Sequence, residues 1–371
     1  MKACAGMCWR LPGPFGFAQI LGRSYSLRCA VFHNIGAAST PFTAGIRVSV
    51  TPEIFENALR FVTANYQPVS LEDVLSHCDG RGLPPRAILL TFDDAYASVA
   101  ETAAPLCKSY GVPGVFFINA AFVDNRRLAP DNLVCYVADQ FGMEAVNSAL
   151  REVPGWEETA PYSLTQVFGS FFPTLSLDER EIFLEALCQL AGIDESRLAK
   201  KANLYVTGRQ LRDLKSFGFE IGNHTYSHSH CRSLSHQEAL AEIDRNKDEL
   251  EAISGTRVRS FSQPYGSSKD LTCTIAEHLR QSGHEAVFLS ESVANQRDAD
   301  PFHLDRVSTC ADSDEALFFE LEILPRLRAG RNWMYRNRRL VRTAKRPSRL
   351  VERMATATAG VETTIDQQKH A

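Results

Sequence analysis

The sequence predicts an α/β protein whose parallel strands alternate with helices. Three observations indicate this class: short, continuously apolar runs recur along the chain, helical patterns lie between several of them, and polar residues with catalytic potential directly follow the runs. Strands buried on both faces of a parallel sheet have such apolar runs, and their carboxyl ends form the active face of α/β folds. On these grounds alone the sheet can be open or closed into a barrel.

Seven strands are predicted in chain order. The first, at residues 29–32, is a short apolar run that ends at His33. The clearest is Ala87–Phe92, bounded by Pro84 and Pro85 on one side and by two aspartates on the other. The others lie at residues 115–118, 219–222, 258–262 and 286–289, and near 304–307.

Helical signals lie between these strands. Thr51 followed by Pro52 predicts a helix start with proline in the first turn. Ser235 and Glu238 form a capping box that opens a helix continuing to Ile253. Residues from about 124 to 201 contain helical stretches, notably 177–190, but no convincing strand. We interpret this segment as an all-helical insertion or subdomain.

Charge is distributed unevenly along the 371 residues. The net charge of −4 argues against a chain that binds nucleic acid along its whole length, so no nucleic-acid partner is expected. Residues 325–350 contain ten Lys or Arg and no Asp or Glu, which leaves about −14 for the rest. We therefore divide the chain into an N-terminal extension (1–28), a body long enough for a catalytic domain (29–324) and a basic tail (325–371).

The chain ends and the cysteines set an expected compartment. No run approaches the roughly 20 apolar residues that cross a bilayer, so we expect no transmembrane anchor. The ten cysteines are scattered without a C-x-x-C pair, which favours free thiols in a reducing compartment. We expect a cytoplasmic or membrane-peripheral protein. Residues 1–28 combine basic and apolar residues without a clear cleavage site, so secretion stays open.

Asp93 and Asp94 directly follow the strand Ala87–Phe92. This position is the active face of a parallel sheet. Adjacent carboxylates repel, and a bound cation would relieve the repulsion. The alternative is a solvated turn that caps the next helix.

His224 and His228 follow the strand at 219–222 with i, i+4 spacing, which aims both imidazoles to one side if the segment turns helically. Two imidazoles and one carboxylate make a three-ligand site that suits Zn²⁺ or a similar divalent ion and leaves a position open for water. His230 lies beside this pair, and Cys231 is either a soft ligand or an inert thiol. The remaining histidines in this half of the chain are interpreted as surface or helix residues: His236, His278 and His284.

Pro264, Tyr265 and Gly266 form a third motif after the strand at 258–262. Proline stiffens the turn, and glycine lets the backbone approach a substrate closely. Alone, the pattern is also that of an ordinary turn.

Together, these motifs resemble those of the polysaccharide deacetylase family, also called NodB-homology or carbohydrate esterase 4. The motifs are Thr91-Phe92-Asp93-Asp94, His224-x-x-x-His228 and Pro264-Tyr265-Gly266. The resemblance extends over residues 29–307 apart from the insertion. It implies a distorted (β/α)7-type barrel with about seven parallel strands.

The resemblance also implies roles for individual residues. Asp94, His224 and His228 would hold a divalent metal ion, with zinc the expected ion, and Asp93 would be the general base. Pro264, Tyr265 and Gly266 would line the substrate groove, with the backbone N–H of Tyr265 binding the oxyanion. Some members are circularly permuted and carry the histidine of the general acid on the first strand. Val31-Phe32-His33 resembles that motif, so His33 is the candidate acid.

Three departures from the family pattern stand out. Ala95 replaces the glycine that usually follows the two aspartates, which is tolerable if that position does not need positive φ. Ser262 replaces an arginine that often orients the base, and Arg306 at the end of the last predicted strand is a candidate substitute, with a structural ion pair as the alternative. The third departure is the insertion, which minimal family members lack and which could cover or reshape the groove.

The expected function is metal-dependent removal of N-acetyl groups from an N-acetylated sugar, polysaccharide or glycolipid. One alternative is a catalytically degenerate carbohydrate-binding protein on the same fold. Another is a hydrolase of cyclic amides or glycan esters. The basic tail, residues 325–350, either makes a peripheral contact with a membrane or glycolipid or is a solvated extension.

Overall fold

In the computed structural model of the chain, the residues described are 25–37, 39–77, 82–156, 162–296 and 299–328. The chain divides into two compact units, Met1–Pro325 and Arg326–Ala371. Most of the predicted N-terminal extension and of the basic tail lies outside the described residues, so the fold below is that of the first unit.

The strands of the described residues are short, and each of the seven predicted runs overlaps at least one of them, whereas the strands at residues 34–35, 49–50, 67–68 and 295–296 were not predicted. They are β1 (Tyr25–Phe32), β2 (Asn34–Ile35), β3 (Ser49–Val50), β4 (Gln67–Pro68), β5 (Ala87–Phe92), β6 (Gly114–Ile118), β7 (Phe219–Asn223), β8 (Ser260–Ser262), β9 (Ala286–Leu289), β10 (Asn295–Gln296), β11 (Leu304–Asp305) and β12 (Val307–Ser308).

The α-helices lie between the strands or in the insertion. They are α1 (Pro52–Asn65), α2 (Leu71–Ser76), α3 (Ala104–Ser109), α4 (Pro130–Phe141), α5 (Met143–Arg151), α6 (Leu164–Gln166), α7 (Leu177–Ala191), α8 (Glu195–Ala202), α9 (Gly208–Leu214), α10 (His236–Ser254), α11 (Cys273–Gln281) and α12 (Asp314–Phe318). The predicted caps are present: Thr51 accepts from the N–H of Ile54, and Ser235 and Glu238 form their capping box.

The central sheet is a nearly closed barrel. Parallel pairing runs from β1 through β5, β6, β7, β8 and β9 to β11. β12 then pairs in parallel with β1, and only Arg306 separates it from β11. The last predicted strand is therefore two short strands that together join the two sides of the sheet. The predicted α/β barrel is confirmed.

Alternation along the strands divides the apolar residues between the inside and the outside of the barrel. In β5, Ala87 and Leu89 belong to a cluster with Cys29, Phe117 and Phe288, which come from three other strands around the barrel. The intervening residues of β5 belong to the larger cluster that includes α1 and the insertion: Ile88, Leu90 and Phe92. Asp93, the next residue after Phe92, has the inward parity and so lies at the carboxyl end of the barrel.

The segment from 124 to 201 is helical, as predicted. Among its described residues, 124–156 and 162–201, no strand occurs. Its apolar side chains, among them Leu133, Leu150, Phe171 and Phe183, belong to the same buried cluster as the outer face of the barrel. The segment is thus an insertion packed on the barrel and not a separate subdomain.

No described helix has the length and apolar character needed to cross a membrane.

Candidate active site

The residues singled out in the sequence meet at the carboxyl end of the barrel. Asp93 and Asp94 follow β5, His224 follows β7, the Pro264–Gly266 turn follows β8, and Arg306 separates β11 from β12. A cavity of about 280 Å³ opens among them. Eight of the nine predicted site residues line this cavity: His33, Asp93, Asp94, His224, His228, Tyr265, Gly266 and Arg306. Pro264 is buried in the turn beside it.

Asp94, His224 and His228 form a candidate metal centre. Asp94 Oδ1 lies 3.4 Å from Nε2 of His224 and 3.3 Å from Nε2 of His228. One ligand atom from each residue lies within 4.8 Å of the other two. Asp94 Oδ1 is buried and accepts no hydrogen bond. A buried carboxylate oxygen without a donor, facing two imidazole nitrogens, fits a divalent cation held among the three residues.

The outer contacts of both histidines favour the same arrangement. Nδ1 of His224 lies 2.8 Å from the carbonyl oxygen of Ser262. A carbonyl only accepts, so Nδ1 must carry the proton and Nε2 keeps its lone pair. Nδ1 of His228 lies 3.1 Å from Oδ2 of Asp131. Histidines that ligate metals typically donate their other N–H to a carbonyl or carboxylate in this way.

Charges around the centre stabilise ionised forms. Burial raises the pKa of Asp94, but His228 and the other nearby imidazoles outweigh it and hold that pKa well below its usual range. Burial lowers the pKa of His228, and Asp94 and Asp131 outweigh it, so the net direction is upward. The cavity therefore has a carboxylate that stays charged and an imidazole whose proton competes with any cation.

Asp93 is held by Arg306. The guanidinium donates to both carboxylate oxygens, Nη1 to Oδ1 at 2.8 Å and Nη2 to Oδ2 at 2.7 Å. Both side chains are buried, with 1% of Arg306 and 3% of Asp93 exposed. Burial raises the pKa of Asp93, but Arg306, together with smaller effects of His224 and His33, outweighs it, so the net direction is downward and the carboxyl stays ionised.

The same contacts explain why a serine can stand at position 262. Nη2 of Arg306 also donates to Oγ of Ser262 at 2.8 Å. The arginine that orients Asp93 thus reaches it from the β11–β12 junction, and the small side chain on β8 leaves room for it. The candidate substitution of Arg306 for the missing arginine agrees with this geometry.

The backbone of the site fails to meet two conditions under which the sequence motifs were interpreted. His224 and His228 converge through an irregular loop, with Thr225 at φ 60° and His228 at φ 57°, and not through a helical turn. Ala95 has φ 59°, after Asp94 at φ 72°, so this position does adopt the conformation that glycine would fill without strain. Left-handed backbone costs a non-glycine residue roughly 1–2 kcal/mol, and such strain clusters at functional sites.

The Pro264–Gly266 turn fixes Tyr265 over the histidine loop. Tyr265 has φ 59°, and its ring stacks on His230 with centroids 3.6 Å apart. Its hydroxyl donates to Asp131, 3.3 Å from both oxygens. A Cβ on Gly266 would lie 2.4 Å from Cβ of Ser290, so only glycine fits there.

His33 follows β1, is half-buried and lines the cavity. The pKa of Asp93 is lowered more by Arg306 than by His33, and that of Asp94 more by His228 than by His33. The candidate acid lines the same cavity as both aspartates.

Other residues near the motifs stay outside the candidate metal centre. His230 lies 3.3 Å from Asp270 through Nδ1. Cys231 is buried, and burial raises the pKa of its thiol to about 12, which does not suit a thiolate ligand. His236 and His278 lie on helices, as expected. His284 was wrongly interpreted: it is buried against Asn223 between α11 and β9.

The sequence allowed the insertion to cover the groove, but it did not indicate which of its residues contribute to the cavity. Asp131, Asn132 and Phe168 line it. Pro130 marks a helix start, but no local pattern relates that start to a histidine loop almost 100 residues later in the chain. The contact was not predictable from periodicity or motif spacing.

The sequence and the fold have counterparts among known proteins. The sequence profile of the family described as Polysaccharide deacetylase matches residues 80–152 and 188–284. These ranges include both aspartates, both histidines and the Pro264–Gly266 turn, while His33 and Arg306 lie outside them. They also include residues 124–152 and 188–201, so only residues 153–187 of the predicted insertion lie outside the family match. A curated relative, the peptidoglycan-N-acetylmuramic acid deacetylase PdaC of Bacillus subtilis (strain 168), is 43% identical over 60 residues. That match spans 16% of this chain and 13% of the relative.

Solved structures are similar over most of the chain. The Streptococcus pyogenes deacetylase PplD in complex with acetate is 16% identical, with a TM-score of 0.53 over 80% of this chain and 98% of that one. IcaB from Ammonifex degensii is 18% identical, with a TM-score of 0.50 over 80% and 97%. At these identities the similarity concerns the fold, and it confirms the barrel type that the motif resemblance implied.

Proposed function

Because the chain belongs to the polysaccharide deacetylase family, we propose that it is a metal-dependent hydrolase that removes N-acetyl groups from an N-acetylated sugar, polysaccharide or glycolipid. The observation that carries the proposal is the candidate metal centre, Asp94, His224 and His228, directly beside the Arg306-held carboxylate of Asp93 in one cavity.

A divalent ion bound by these three residues would polarise the acetyl carbonyl and lower the pKa of a water molecule toward neutrality. Zinc suits one carboxylate and two imidazoles, and three protein ligands leave the open position that catalysis needs.

Asp93 is assigned as the general base. Its Oδ2 lies 3.7 Å from Nε2 of His224, so it borders the ligand cluster without belonging to it. Arg306 holds both of its oxygens, which fixes the carboxylate plane and prevents rotation away from the cavity. Asp93 would take the proton of the attacking water, a role that typically contributes about 10²–10⁴-fold in rate.

Tyr265 is assigned to bind the acetyl oxygen, and His33 is assigned to protonate the departing amine. The backbone N–H of Tyr265 would donate to the acetyl oxygen as it gains charge. His33, which lines the same cavity, would deliver a proton to the departing nitrogen. The C–N bond breaks, and the products are acetate and a free amine on the sugar.

The size of the cavity indicates that only a small portion of the substrate binds inside it. Its volume of about 280 Å³ is near the lower end of the roughly 300–1,000 Å³ typical of ligand sites. Aromatic side chains line part of it, and the apolar face of a sugar ring packs well on such surfaces: Tyr96, Phe122, Phe168 and Tyr265. One acetylated sugar unit matches this space, and the name of the Bacillus subtilis relative supports an N-acetylated sugar as the substrate class.

A substrate screen tests the reaction class. Purified protein loaded with zinc is incubated with N-acetylated oligosaccharides, O-acetylated oligosaccharides and small cyclic imides, and the release of acetate and of free amine is measured. Equal release of acetate and amine from the N-acetylated sugars is expected. Turnover confined to imides or to esters would replace the proposed substrate with one of these alternatives.

A degenerate, carbohydrate-binding protein is the second candidate, and the strained Ala95 favours it. Metal analysis separates the two, because a degenerate site should retain no ion after dialysis. The intact ligand cluster and the Arg306–Asp93 pair support the enzyme.

We further propose a cytoplasmic or membrane-peripheral location, with the basic tail as the peripheral contact. Ten basic residues at 325–350 would favour anionic surfaces. In a flotation assay with anionic vesicles the full chain should float and a chain ending at Leu324 should not. Equal flotation of the two would discard a membrane role for the tail.

A further inference from the structure

We propose that Asp131, supplied by the insertion, is a positioning residue for the metal centre and fixes His228 as a ligand. This inference rests on the proposed function, because it assigns Asp131 a part in holding the ion among Asp94, His224 and His228. It also gives the insertion a role in the chemistry beyond covering the barrel.

The two nitrogens of His228 have separate partners. Nδ1 lies 3.1 Å from Oδ2 of Asp131, and Nε2 lies 3.3 Å from Oδ1 of Asp94. With the Nδ1 proton donated to Asp131, the lone pair of Nε2 points toward the ligand cluster. A charged acceptor also raises the basicity of the imidazole more than a neutral carbonyl does, and so strengthens the ligand. His224 has only the neutral carbonyl of Ser262 in this position.

Asp131 is held in place by the first turn of α4. Its neighbour Asn132 is buried and donates to the carbonyl of Phe42 at 2.9 Å and to the hydroxyl of Tyr96 at 2.8 Å. The hydroxyl of Tyr205 donates to Oδ1 of Asn132 at 2.6 Å. The side chain of Asp131 itself is 17% exposed. These contacts lock the helix start, so the carboxylate meets His228 without losing much side-chain freedom on binding.

The insertion also holds the histidine loop from a second side. Arg180 on α7 is buried and donates to Oγ of Ser227 at 2.6 Å and to Oγ of Ser229 at 2.7 Å. Glu242 on α10 accepts from the N–H of Ser227 at 2.8 Å. His228 therefore lies between two residues tied to the insertion and to α10. The loop is fixed before any ligand arrives, and Asp131 sets the ring within it.

Zinc affinity measures this role directly. The full-length protein and its Asp131→Asn and Asp131→Ala variants are titrated with zinc in competition with a chromophoric chelator. Outer carboxylates of this kind typically contribute 10–100-fold in metal affinity. We expect the dissociation constant to rise about 10-fold in Asp131→Asn, which keeps an uncharged acceptor, and toward 100-fold in Asp131→Ala. The matched control is Asp139→Asn, an exposed aspartate on the same helix, which should leave the affinity unchanged.

A second readout separates positioning from general support of the loop. In zinc-loaded protein labelled with ¹⁵N-histidine, the Nδ1 proton of His228 should be shifted downfield and protected from exchange, and Asp131→Ala should abolish both properties. The Nδ1 proton of His224, donated to Ser262, serves as the internal reference and should not change.

The outcomes distinguish the two proposals. Wild-type affinity in both Asp131 variants, or an unchanged Nδ1 proton of His228, would overturn the role of Asp131 while leaving the proposed function intact. The predicted affinity pattern without release of acetate from any N-acetylated sugar would overturn the proposed function and keep the role of Asp131. A wild-type protein that binds no zinc would overturn both.

Discussion

Replacing Arg306 by methionine would leave the buried carboxylate of Asp93 without its cation. The two side chains are 1% and 3% exposed and are joined by two hydrogen bonds of 2.8 and 2.7 Å. Removing one partner of such a pair typically costs about 3–5 kcal/mol, because the other charge stays buried and unpaired. We expect a loss of this size in the free energy of unfolding of Arg306→Met, measured by urea denaturation at pH 7.5.

The loss should depend on pH in a stated direction. With Arg306 present, the pKa of Asp93 lies below its usual value, so the pair contributes stability above that value and loses it as the pH falls. Without Arg306, burial would raise the pKa of Asp93, and the variant would regain stability as the pH falls and the carboxyl becomes neutral. The difference between the two proteins should therefore shrink between pH 7.5 and pH 4.

Two variants control this prediction. Arg259→Met removes a partly exposed arginine paired with Glu72 and Glu220, and should cost about 1 kcal/mol or less. In the double variant Arg306→Met/Asp93→Asn, the neutral amide should restore about 2–3 kcal/mol of the loss. A loss that is independent of pH, together with simple additivity in the double variant, would refute the reasoning.

Two further predictions concern buried groups near the site. Asp305 is 6% exposed, and burial raises its pKa to about 6, so stability is lost as the pH rises through this value. Asp305→Asn should therefore stabilise the protein by up to about 3 kcal/mol at pH 8 and by almost nothing at pH 4. An equal effect at both pH values would contradict this prediction. Gly266→Ala places a Cβ 2.4 Å from Ser290 at φ 69° and should cost about 2–4 kcal/mol in thermal or urea unfolding. Gly192 has φ 63°, and a Cβ added there would have no atom within 4 Å, so Gly192→Ala should lower the free energy of unfolding by only about 1 kcal/mol. Similar losses of stability in the two glycine variants would show that the contact with Ser290 does not matter.

Much of the barrel was predictable because its signals are local. The strand Ala87–Phe92 is apolar at every position except Thr91, and both of its faces are buried, so the sequence run and the strand coincide. The caps at Thr51 and Ser235 also depend on residues within one helical turn. The ends of such strands meet on one side of any parallel barrel, which is why Asp93 and His224 could be placed together before their distance was known.

The rest of the site depends on contacts between distant parts of the chain. Asp131 and His228 are separated by most of the insertion, and neither the start of α4 nor the spacing of the histidines predicts their hydrogen bond. Ala95 was judged tolerable only if its position did not need positive φ, and the turn after β5 imposes φ 59°. Tertiary structure overrides local preference at these positions.

For Arg306, the sequence predicted a candidate role but not the contact that it makes. Its place at the end of the last predicted strand made it a candidate partner of Asp93, but a structural ion pair elsewhere was equally consistent with the sequence. The geometry brings it to both oxygens of Asp93, because the junction of β11 and β12 closes the barrel beside β1 and β5. Barrel closure, which no single segment encodes, decided the partner.

The central claim is that Asp94, His224 and His228 hold an ion while Asp93 acts on the reacting water. The most direct measurement compares zinc content and acetate release from an N-acetylated oligosaccharide in the wild-type protein, Asp93→Asn and His228→Ala. We predict that Asp93→Asn keeps the zinc of the wild type but turns over about 10²–10⁴-fold more slowly, and that His228→Ala loses both zinc and turnover. Wild-type turnover in Asp93→Asn, or full zinc content and activity in His228→Ala, would contradict it.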